Sequence, residues 1–526
     1  MKLRTVAVLG GGPGGLYAAR LLKLSHPDAE VTVYEQGSPD TTFGFGVGLA
    51  SRTQRNLRAA DSASLEEIVD RAHPHDMSMR LGDAVARLSH GELLAIARTT
   101  LLAVLQRHAE AAGVRLRFGE RREITELDAD LVIAADGVNS AARTRLADAL
   151  APRITTGTGL YLWCGTDFAL PSAVFTPVTT EHGTFVAHAY PYAADRSTFL
   201  IETDEDTWVR AGFDRTTADT PPSETDQRSL AYLEKAFAQT LAGHRLIGNR
   251  TRWLRFRTVT CRRWHTGNVV LLGDAAHTAH YSIGSGTKLA MEDAIALDRA
   301  VRAAPTLGEA LAEYERVRRA DVEHLQSIAR RSELWWESFP RRLGLPVDQL
   351  MVSYMTRAGK VSLDRFAASA PEVSRRGLAD YAGVTPAAVP AAGLDDWVCA
   401  QPLRHGGRTY PSRLAPADLR AHETTAVLEV DLASAWEQAA DALLATVPEA
   451  GVVWLTGAPH RADVLTRLEL AERVRWQSGA TVVVDVPEAH KADAAAGLAG
   501  GRTHLVHLSS GVPAAATPVR VHSASA

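Results

Sequence analysis

The chain has 526 residues, and 57 lysines and arginines against 61 aspartates and glutamates leave a formal net charge of −4. Hydrophobic residues make up 46% and charged residues 22%, a composition that excludes disordered and collagen-like chains and argues against a nucleic-acid binder relying on bulk positive charge. No apolar run of about 18 residues predicts a membrane span, and three widely spaced cysteines predict neither a disulfide framework nor a zinc cluster but a reducing, cytoplasmic setting.

The first half of the chain reads as an α/β pattern followed by an antiparallel one. Strands are predicted at residues 5–9, 30–34, 114–118 and 131–135, and helices at 16–24 and 96–112. From residue 157 to 263 the apolar residues alternate instead, notably at 183–192 and 197–203, with one helix near 229–241. The change in period predicts a separate antiparallel sheet there.

The second half returns to alternating strands and helices. A buried strand is predicted at 268–272, and long helices at 286–302 and 307–337. The stretch 383–393 is rich in Pro, Ala and Gly and reads as a linker. Beyond it, strands at 426–430, 452–456, 481–486 and 504–508 alternate with helices, so the tail is predicted to be a small α/β domain.

A glycine-rich turn connects the first strand and helix. Gly10, Gly12 and Gly15 form a G-x-G-x-x-G pattern, which permits a tight turn and lets backbone N–H groups approach a pyrophosphate. Glu35 follows 20 residues after Gly15 at the end of the second strand, where an acid can accept from a ribose hydroxyl. The combination favours dinucleotide binding over a merely structural turn.

Two further turns place an acid after an apolar strand. The first contains Asp136, Gly137 and Arg143, and the second begins with Gly273-Asp274-Ala-Ala-His277 and continues to Gly284-Ser285-Gly286. Each aspartate alone is better explained as a helix cap or turn residue than as a cofactor ligand. Three such elements in this order predict a single dinucleotide cleft.

These motifs, in this order, resemble the single-component FAD-dependent aromatic hydroxylases. The stretch from Gly273 to Asp293 is most similar to the branch acting on aryl-CoA thioesters, that of salicylyl-CoA 5-hydroxylase and anthraniloyl-CoA (2-aminobenzoyl-CoA) monooxygenase. Most flavin hydroxylases have prolines where this chain has His280 and Tyr281. The resemblance extends from the N-terminus to about Glu372.

The resemblance implies a Rossmann-like FAD-binding domain at 1–156 and 264–300, an inserted substrate-binding β-sheet domain at 157–263, and a helical segment at 301–382. Composition predicts a linker at 383–400, and the C-terminal domain predicted at 401–526 faintly resembles a truncated old-yellow-enzyme barrel without a second flavin. Because about 200 residues are needed to close such a barrel, the tail can form only part of one.

The resemblance also implies the cofactor and its ligands. One FAD per chain is expected, with NAD(P)H as a transient co-substrate and no metal. The residues expected to bind FAD are Gly10, Gly12, Gly15, Glu35, Gly46, Val47, Arg98, Asp136, Gly137, Arg143, Asp274, Gly284, Ser285 and Gly286. For Arg98, an exposed helix position is the competing interpretation.

The expected reaction is oxygen transfer from a flavin C4a-hydroperoxide, formed with O2, to the ring of an aromatic or related cyclic acyl-CoA thioester. His280, Tyr281, His188 and Tyr190 are the candidate catalytic residues. His188 and Tyr190 alternate on one strand and so share a face, where substrate contact and core packing are about equally favoured.

Two other functions stay open from the sequence. One is a flavin oxygenase that oxidises a non-benzenoid ring thioester more than once, as in tropolone-type pathways. The other is a flavin-dependent reductase or a non-catalytic flavin-binding protein. No nucleic acid or membrane partner is expected, and homodimer formation is left open.

Overall fold

The structure is a computed structural model that describes residues 3–40, 42–89, 93–284, 286–449 and 451–510, with Arg52 described for its backbone alone. It divides into two compact units, residues 1–343 and residues 344–526. Among the described residues, no helix has the length and apolar character needed to cross a membrane.

The first part of unit 1 contains the elements β1 (Thr5–Leu9), α1 (Pro13–Ser25), β2 (Glu30–Glu35), β3 (Gly46–Leu49), α2 (Ser51–Ala60), α3 (Ser62–Asp70), β4 (His73–Pro74), β5 (Met77–Leu81), β6 (Ala84–Leu88), β7 (Leu94–Ala97), α4 (Arg98–Ala112), β8 (Arg115–Phe118), β9 (Leu131–Ala134), α5 (Ala141–Arg145) and α6 (Ala147–Leu150). The rest of unit 1 contains β10 (Pro152–Thr166), β11 (Ala173–Thr180), β12 (Gly183–Ala193), β13 (Arg196–Thr203), α7 (Glu205–Arg210), α8 (Phe213–Asp219), α9 (Gln227–Ala236), α10 (Ala238–Leu241), β14 (Leu246–Ile247), β15 (Trp253–Cys261), β16 (His265–Thr266), β17 (Val269–Leu271), α11 (Gly286–Ala303) and α12 (Leu307–Glu337).

The first sheet of unit 1 has the order β16-β17-β9-β1-β2-β8 and is parallel except for the β16–β17 pair. Its central strands are continuous apolar runs because helices cover both faces of a parallel sheet. Val8, Val31 and Ile133 are all buried. The predicted strands and the α/β class are confirmed, and the carboxyl ends of β1, β9 and β17 bring the three sequence motifs to one edge.

The second sheet of unit 1 is mostly antiparallel, with the order β14-β10-β13-β12-β11-β5-β6 and β15 paired to β10. One face of β12 packs Phe185, Ala187 and Ala189 into a core with the helices α8 to α10. Its other face carries His188 and Tyr190, two of the candidate catalytic residues. The predicted alternation over 183–192 is therefore confirmed.

Two details differ from the sequence prediction. The sheet recruits β5 and β6, which precede the stretch predicted to form it, through a parallel β5–β11 pair. The predicted helix 96–112 begins two residues later, because Ile96 and Ala97 belong to β7 and pair with β3. Both differences arise because a segment pairs with a strand that is distant in the sequence. The local periodicity of apolar residues does not reveal such pairing.

Unit 2 contains α13 (Val347–Thr356), α14 (Leu363–Ser369), α15 (Pro371–Ala382), α16 (Leu394–Cys399), β18 (Leu403–His405), β19 (Arg408–Tyr410), β20 (Thr425–Val430), α17 (Gln438–Leu444), β21 (Val452–Gly457), α18 (Arg461–Gln477), β22 (Thr481–Pro487), α19 (Lys491–Ala499) and β23 (Leu505–Ser509). Strands β20 to β23 form a parallel sheet in sequential order, at the four predicted positions. The range 383–400 lies inside this unit, where Leu394 and Val398 of α16 are buried.

Candidate active site

The glycine turn after β1 is tightly packed around Gly10 and Gly15 and has open space beside Gly12. A Cβ on Gly10 would lie 2.3 Å from the Ala135 carbonyl oxygen, and one on Gly15 would lie 2.1 Å from that of Gly10. At Gly12, which caps α1, a Cβ would meet nothing within 4 Å. Internal packing therefore requires Gly10 and Gly15, whereas the space beside Gly12 leaves room for a ligand at the helix N-terminus.

Glu35 shapes this turn from the end of β2. Its two carboxylate oxygens accept the backbone N–H groups of Gly11 and Gly37 at 2.8 and 2.7 Å. The structure thus holds the carboxylate beside the glycine turn, where the sequence predicted it.

The second motif forms the turn after β9. Gly137 has a φ of +79°, a left-handed conformation that favours glycine. Asp136 Oδ2 accepts the Ala142 N–H at 3.1 Å, while its buried Oδ1 has no hydrogen-bond partner among the described residues. The orphaned oxygen is an acceptor in place for a ligand.

Arg143, from the same motif, is buried and joins the second motif to the third. Its guanidinium donates to the carbonyls of Val138 at 2.6 Å and Ala275 at 2.9 Å, and more weakly to that of Asp274 at 3.4 Å. These contacts make Arg143 a brace between two loops, and the contact with FAD that the resemblance implies stays a prediction.

Asp274 follows β17 and faces open cleft space. Desolvation by the surrounding protein disfavours the charged carboxylate and so raises the pKa of Asp274. The positive charge of Arg98 opposes that rise. Arg98, the first residue of α4, has a pKa lowered by burial and a buried Nε without a hydrogen-bond partner in the described ranges. The two side chains therefore bring opposite charges to one polar cleft, which disfavours the exposed-helix interpretation of Arg98.

A buried ionic cluster supports the Asp274 loop from behind. Asp293 Oδ2 accepts the Gly273 N–H at 3.1 Å and lies 2.8 Å from His277 Nε2, and Asp293 Oδ1 accepts from Arg318 Nε at 2.8 Å. Although burial acts to raise it, the pKa of Asp293 is held below its usual value by His277 and Arg318. The sequence motif contained His277 and Asp293 but did not reveal Arg318.

Strand β3 holds the predicted Gly46 and Val47 against Tyr190. Gly46 donates its N–H to Thr198 Oγ1 at 2.9 Å, and its carbonyl accepts the Tyr190 hydroxyl at 2.8 Å. A Cβ on Gly46 would lie 2.8 Å from the Tyr192 side chain. The Tyr190 proton is thus bound to backbone, and a role for Tyr190 at the substrate stays a prediction.

The loop between β17 and α11 carries His280 and Tyr281. His280 is 5% exposed and its Nδ1 lies 2.9 Å from Ser282 Oγ. The two rings are 4.0 Å apart, and Tyr281 also contacts Tyr161 at 4.9 Å between centroids. Gly284 follows before α11, Gly286 is the first residue of that helix, and the predicted Ser285 lies outside the described residues.

His188 and Glu202 form a buried pair on neighbouring strands next to this loop. His188 Nε2 lies 3.2 Å from Glu202 Oε2, and the His188 ring packs 4.1 Å from that of Trp336. Burial acts to raise the pKa of Glu202, but His188, His280 and Tyr281 together outweigh it and hold the pKa below its usual value. Glu202 Oε1 is buried without a hydrogen-bond partner among the described residues, and the Tyr281 hydroxyl lies close enough to the carboxylate to lower the pKa of Glu202.

Glu202, Phe256, His280 and Tyr281 line one cavity with Glu333 and Trp336 of α12. Glu333 is 1% exposed, and burial raises its pKa to about 7, against the opposing charge of Arg330 at 2.9 Å. Sequence reasoning missed Glu202 and Glu333 because each is a lone acid in an ordinary strand or helix pattern. Their burial alone identifies them.

The chain matches the family described as FAD binding domain over residues 4–126 and 116–327. It is 45% identical to salicyloyl-CoA 5-hydroxylase of a Streptomyces species over 64% of this chain and 66% of that protein, slightly less than two thirds of its length. It is 40% identical to 3-hydroxy-4-methyl-anthranilyl-(aryl-carrier protein) 5-monooxygenase of Streptosporangium sibiricum over 68% of this chain and 95% of that protein.

Solved structures share the fold at lower identity. A variant of 2-methyl-3-hydroxypyridine-5-carboxylic acid oxygenase superposes with a TM-score of 0.52 at 18% identity, covering 71% of this chain and 97% of that one. PqsL of Pseudomonas aeruginosa, in complex with 2-aminobenzoylacetate, superposes with a TM-score of 0.51 at 22% identity, covering 65% and 99%. The family match and the two relatives show that this chain belongs to the family of FAD-dependent aromatic monooxygenases.

Proposed function

We propose that this protein is an FAD-dependent monooxygenase that uses NAD(P)H and O2 to hydroxylate an aromatic or related cyclic acyl thioester. The two relatives named above act on a CoA thioester and on a carrier-protein-bound acyl group, which supports a thioester substrate. The observation that carries the proposal is the buried His188–Glu202 pair beside the Tyr281 loop, since a ring hydroxyl or amino group needs a proton acceptor.

The polar cleft of unit 1 fits FAD. The space at Gly12 suits a pyrophosphate at the N-terminus of α1, and Glu35 lies beside it for the ribose. Arg98 Nε and Asp136 Oδ1 are buried polar atoms that need partners, and Asp274 shares their cleft. When bound, FAD supplies the redox chemistry, taking electrons from NAD(P)H and activating O2 for transfer of one oxygen atom.

Side chains of the protein accept the substrate proton and orient the ring. We assign Glu202 Oε1, backed by His188, to accept the proton of a ring hydroxyl or amino group, which makes the ring more electron-rich. Tyr161, Trp163 and Tyr281 form an aromatic wall, with Tyr281 6.2 Å from Trp163 between centroids. That wall orients a planar ring and excludes water from the reacting atoms.

The C-terminal unit has a different role in this proposal. Strands β20 to β23 follow one another in a parallel sheet, as successive strands of a (β/α)8 barrel do. We infer that the unit is a shortened relative of an old-yellow-enzyme barrel, without a redox cofactor of its own.

The test is NADH and NADPH oxidation by the FAD-loaded protein with salicylate and 2-aminobenzoate, each supplied as free acid and as CoA thioester. A thioester should stimulate oxidation and yield a hydroxylated product containing one atom from ¹⁸O2. Stimulation that yields a reduced product, with neither oxygen incorporation nor peroxide, would indicate a reductase. No stimulation or product with any of the four compounds would contradict the proposed substrate class.

A further inference from the structure

Unit 2 contains a cavity of about 450 Å³, between α13 and α14 on one side and α18 and α19 on the other. The lining includes the apolar side chains of Leu465 and Leu468, which we call the floor of the cavity. The basic side chains that line it are Lys360, Arg365, Arg461, His490 and Arg502. The lining described by the structure includes a single carboxylate, that of Asp493, so the cavity has an excess of positive charge.

Arg502 lies in this lining although it is only 5% exposed. Its Nη2 donates to the Arg357 carbonyl at 2.5 Å. Across the part of the chain that the structure describes, its guanidinium makes no other hydrogen bond and no ion pair. A buried guanidinium without an anion is costly, since a charge removed from water needs a compensating partner.

The one lining carboxylate is already engaged. Asp493 accepts from Arg461 Nε at 2.7 Å and from Arg461 Nη2 at 2.8 Å, a bidentate pair. The charge of Arg502 also adds to burial in lowering the pKa of Arg357, so these two buried cations repel each other. The positive charge at Arg502 and Arg365 is therefore uncompensated by the lining.

Helix α19 adds a second feature that favours an anion. It begins at Lys491, and Ala492 and Asp493 of its first turn line the cavity. Backbone N–H groups in a first helical turn carry partial positive charge, which is the usual setting for phosphate oxygens. Guanidinium groups match phosphate geometry for the same purpose.

We propose that this cavity binds an organic phosphate, with its phosphoryl oxygens at Arg502 and Arg365 and its less polar body on the Leu465–Leu468 floor. This site is separate from the FAD cleft and does not depend on the proposed reaction. A nucleotide and the phosphate groups of free CoA share this chemistry, and the experiment must tell them apart.

The experiment is isothermal titration of the full-length, FAD-loaded protein at low salt, so that the cofactor cleft is already filled. The probes are inorganic pyrophosphate, ADP, free CoA and, as a body without phosphate, adenosine. Pyrophosphate and ADP should bind and adenosine should not, and Arg502→Met should weaken binding at least tenfold. Tighter binding of CoA than of ADP would identify a pantetheine-bearing ligand, and the reverse a nucleotide.

Arg404→Ala, at an exposed position of β18 outside the cavity lining, is the matched control and should bind like the wild type. If Arg502→Met does not fold, as judged by circular dichroism and FAD content, the exposed pair Lys360→Ala/Arg365→Ala replaces it, with the same expected loss. The proposal is overturned if no phosphate probe binds the wild type, or if the folded cavity variants bind as tightly as Arg404→Ala.

Discussion

The Asp274 side chain carries its charge in crowded surroundings that only partly compensate it. Although Asp274 faces the open cleft, desolvation by the surrounding protein raises its pKa, and Arg98 and His277 oppose the rise. If Asp274 accepts a hydroxyl of the FAD ribityl chain, Asp274→Ala should lose most of the bound flavin. Flavin absorbance per chain after gel filtration measures this, with the exposed Asp148→Ala as control. Full FAD content at wild-type affinity in Asp274→Ala would contradict the assignment.

The proposed role of Glu202 in proton transfer can be tested by a single substitution. The pKa of Glu202 is below the usual value, because His188, His280 and Tyr281 together outweigh the effect of burial, so it is ionised throughout a neutral assay range. With a phenolic substrate, Glu202→Gln should lower the hydroxylation rate about 10²-fold while FAD stays bound. The rate should recover as the pH rises, since the phenol then ionises without help.

A purely structural role for Glu202 predicts a lower melting temperature and no such recovery with pH. Glu205→Gln, at an exposed position on α7, should leave the pH profile of hydroxylation unchanged. A wild-type pH profile in Glu202→Gln would remove Glu202 from the proposed proton transfer.

At the scale of elements, the loop from β17 to α11 combines a local cap with aromatic contacts. The His280 side chain accepts the Ser282 N–H at 3.4 Å and so caps the short helical turn 281–283. If His280 and Tyr281 contact the substrate, His280→Ala and Tyr281→Phe should oxidise NAD(P)H to peroxide with less product, because oxygen transfer requires near-attack distances of about 3–3.5 Å.

The control for this loop is Tyr232→Phe, which removes a hydroxyl bonded to Thr180 and His182 elsewhere in unit 1. Peroxide and product per NAD(P)H are measured for all three variants. Unchanged coupling in both loop variants, with only weaker FAD retention or a lower melting temperature, would assign the loop a structural role.

The elements also show why part of the site could be predicted from sequence. Gly10, Asp136 and Asp274 each follow an apolar parallel strand, and parallel strands bring their carboxyl ends to one edge, so the cleft follows from local patterns. Glu202 and Arg318 gain their significance only from partners on other elements. The sequence does not encode such proximity in any short motif, and β5 and β6 were missed from the second sheet for the same reason.

At the scale of the whole molecule, the burial of Glu333 makes the stability of unit 1 depend on pH. Its pKa of about 7 is above the value in an unfolded chain, so the folded state binds more protons between about pH 4.5 and 7. The contribution of Glu333 to the free energy of unfolding therefore falls as the pH rises through this range and stays low above it.

Glu333→Gln should remove this dependence and stabilise the protein at pH 8 by an amount on the order of 1–3 kcal/mol relative to wild type. Urea unfolding at pH 5.5 and pH 8 measures the difference. Glu323→Gln, which alters a side chain 62% exposed on the same helix, should change little at either pH. Equal pH dependence in wild type and Glu333→Gln would show that Glu333 is not buried as a neutral acid.

The predicted linker illustrates what composition leaves out at this scale. The Pro-, Ala- and Gly-rich stretch 383–393 predicts a linker at 383–400, but the compact units divide between residues 343 and 344. Helix α16 lies within that range, and Cys399 is buried along with its apolar neighbours. A composition rich in Pro, Ala and Gly indicates a linker only where the neighbouring side chains do not pack into a hydrophobic core.

The pairing of β5 with β11 has a consequence for synthesis of the chain on the ribosome. Met77–Leu81 leaves the ribosome with β6 as its neighbouring strand, and a two-stranded ribbon is marginally stable in water. Its partner Ala173–Thr180 follows roughly 90 residues later, a delay of about 5–20 s at ordinary elongation rates. During that interval one edge of β5 has no partner, so the nascent chain is open to mispairing until the second sheet closes around it.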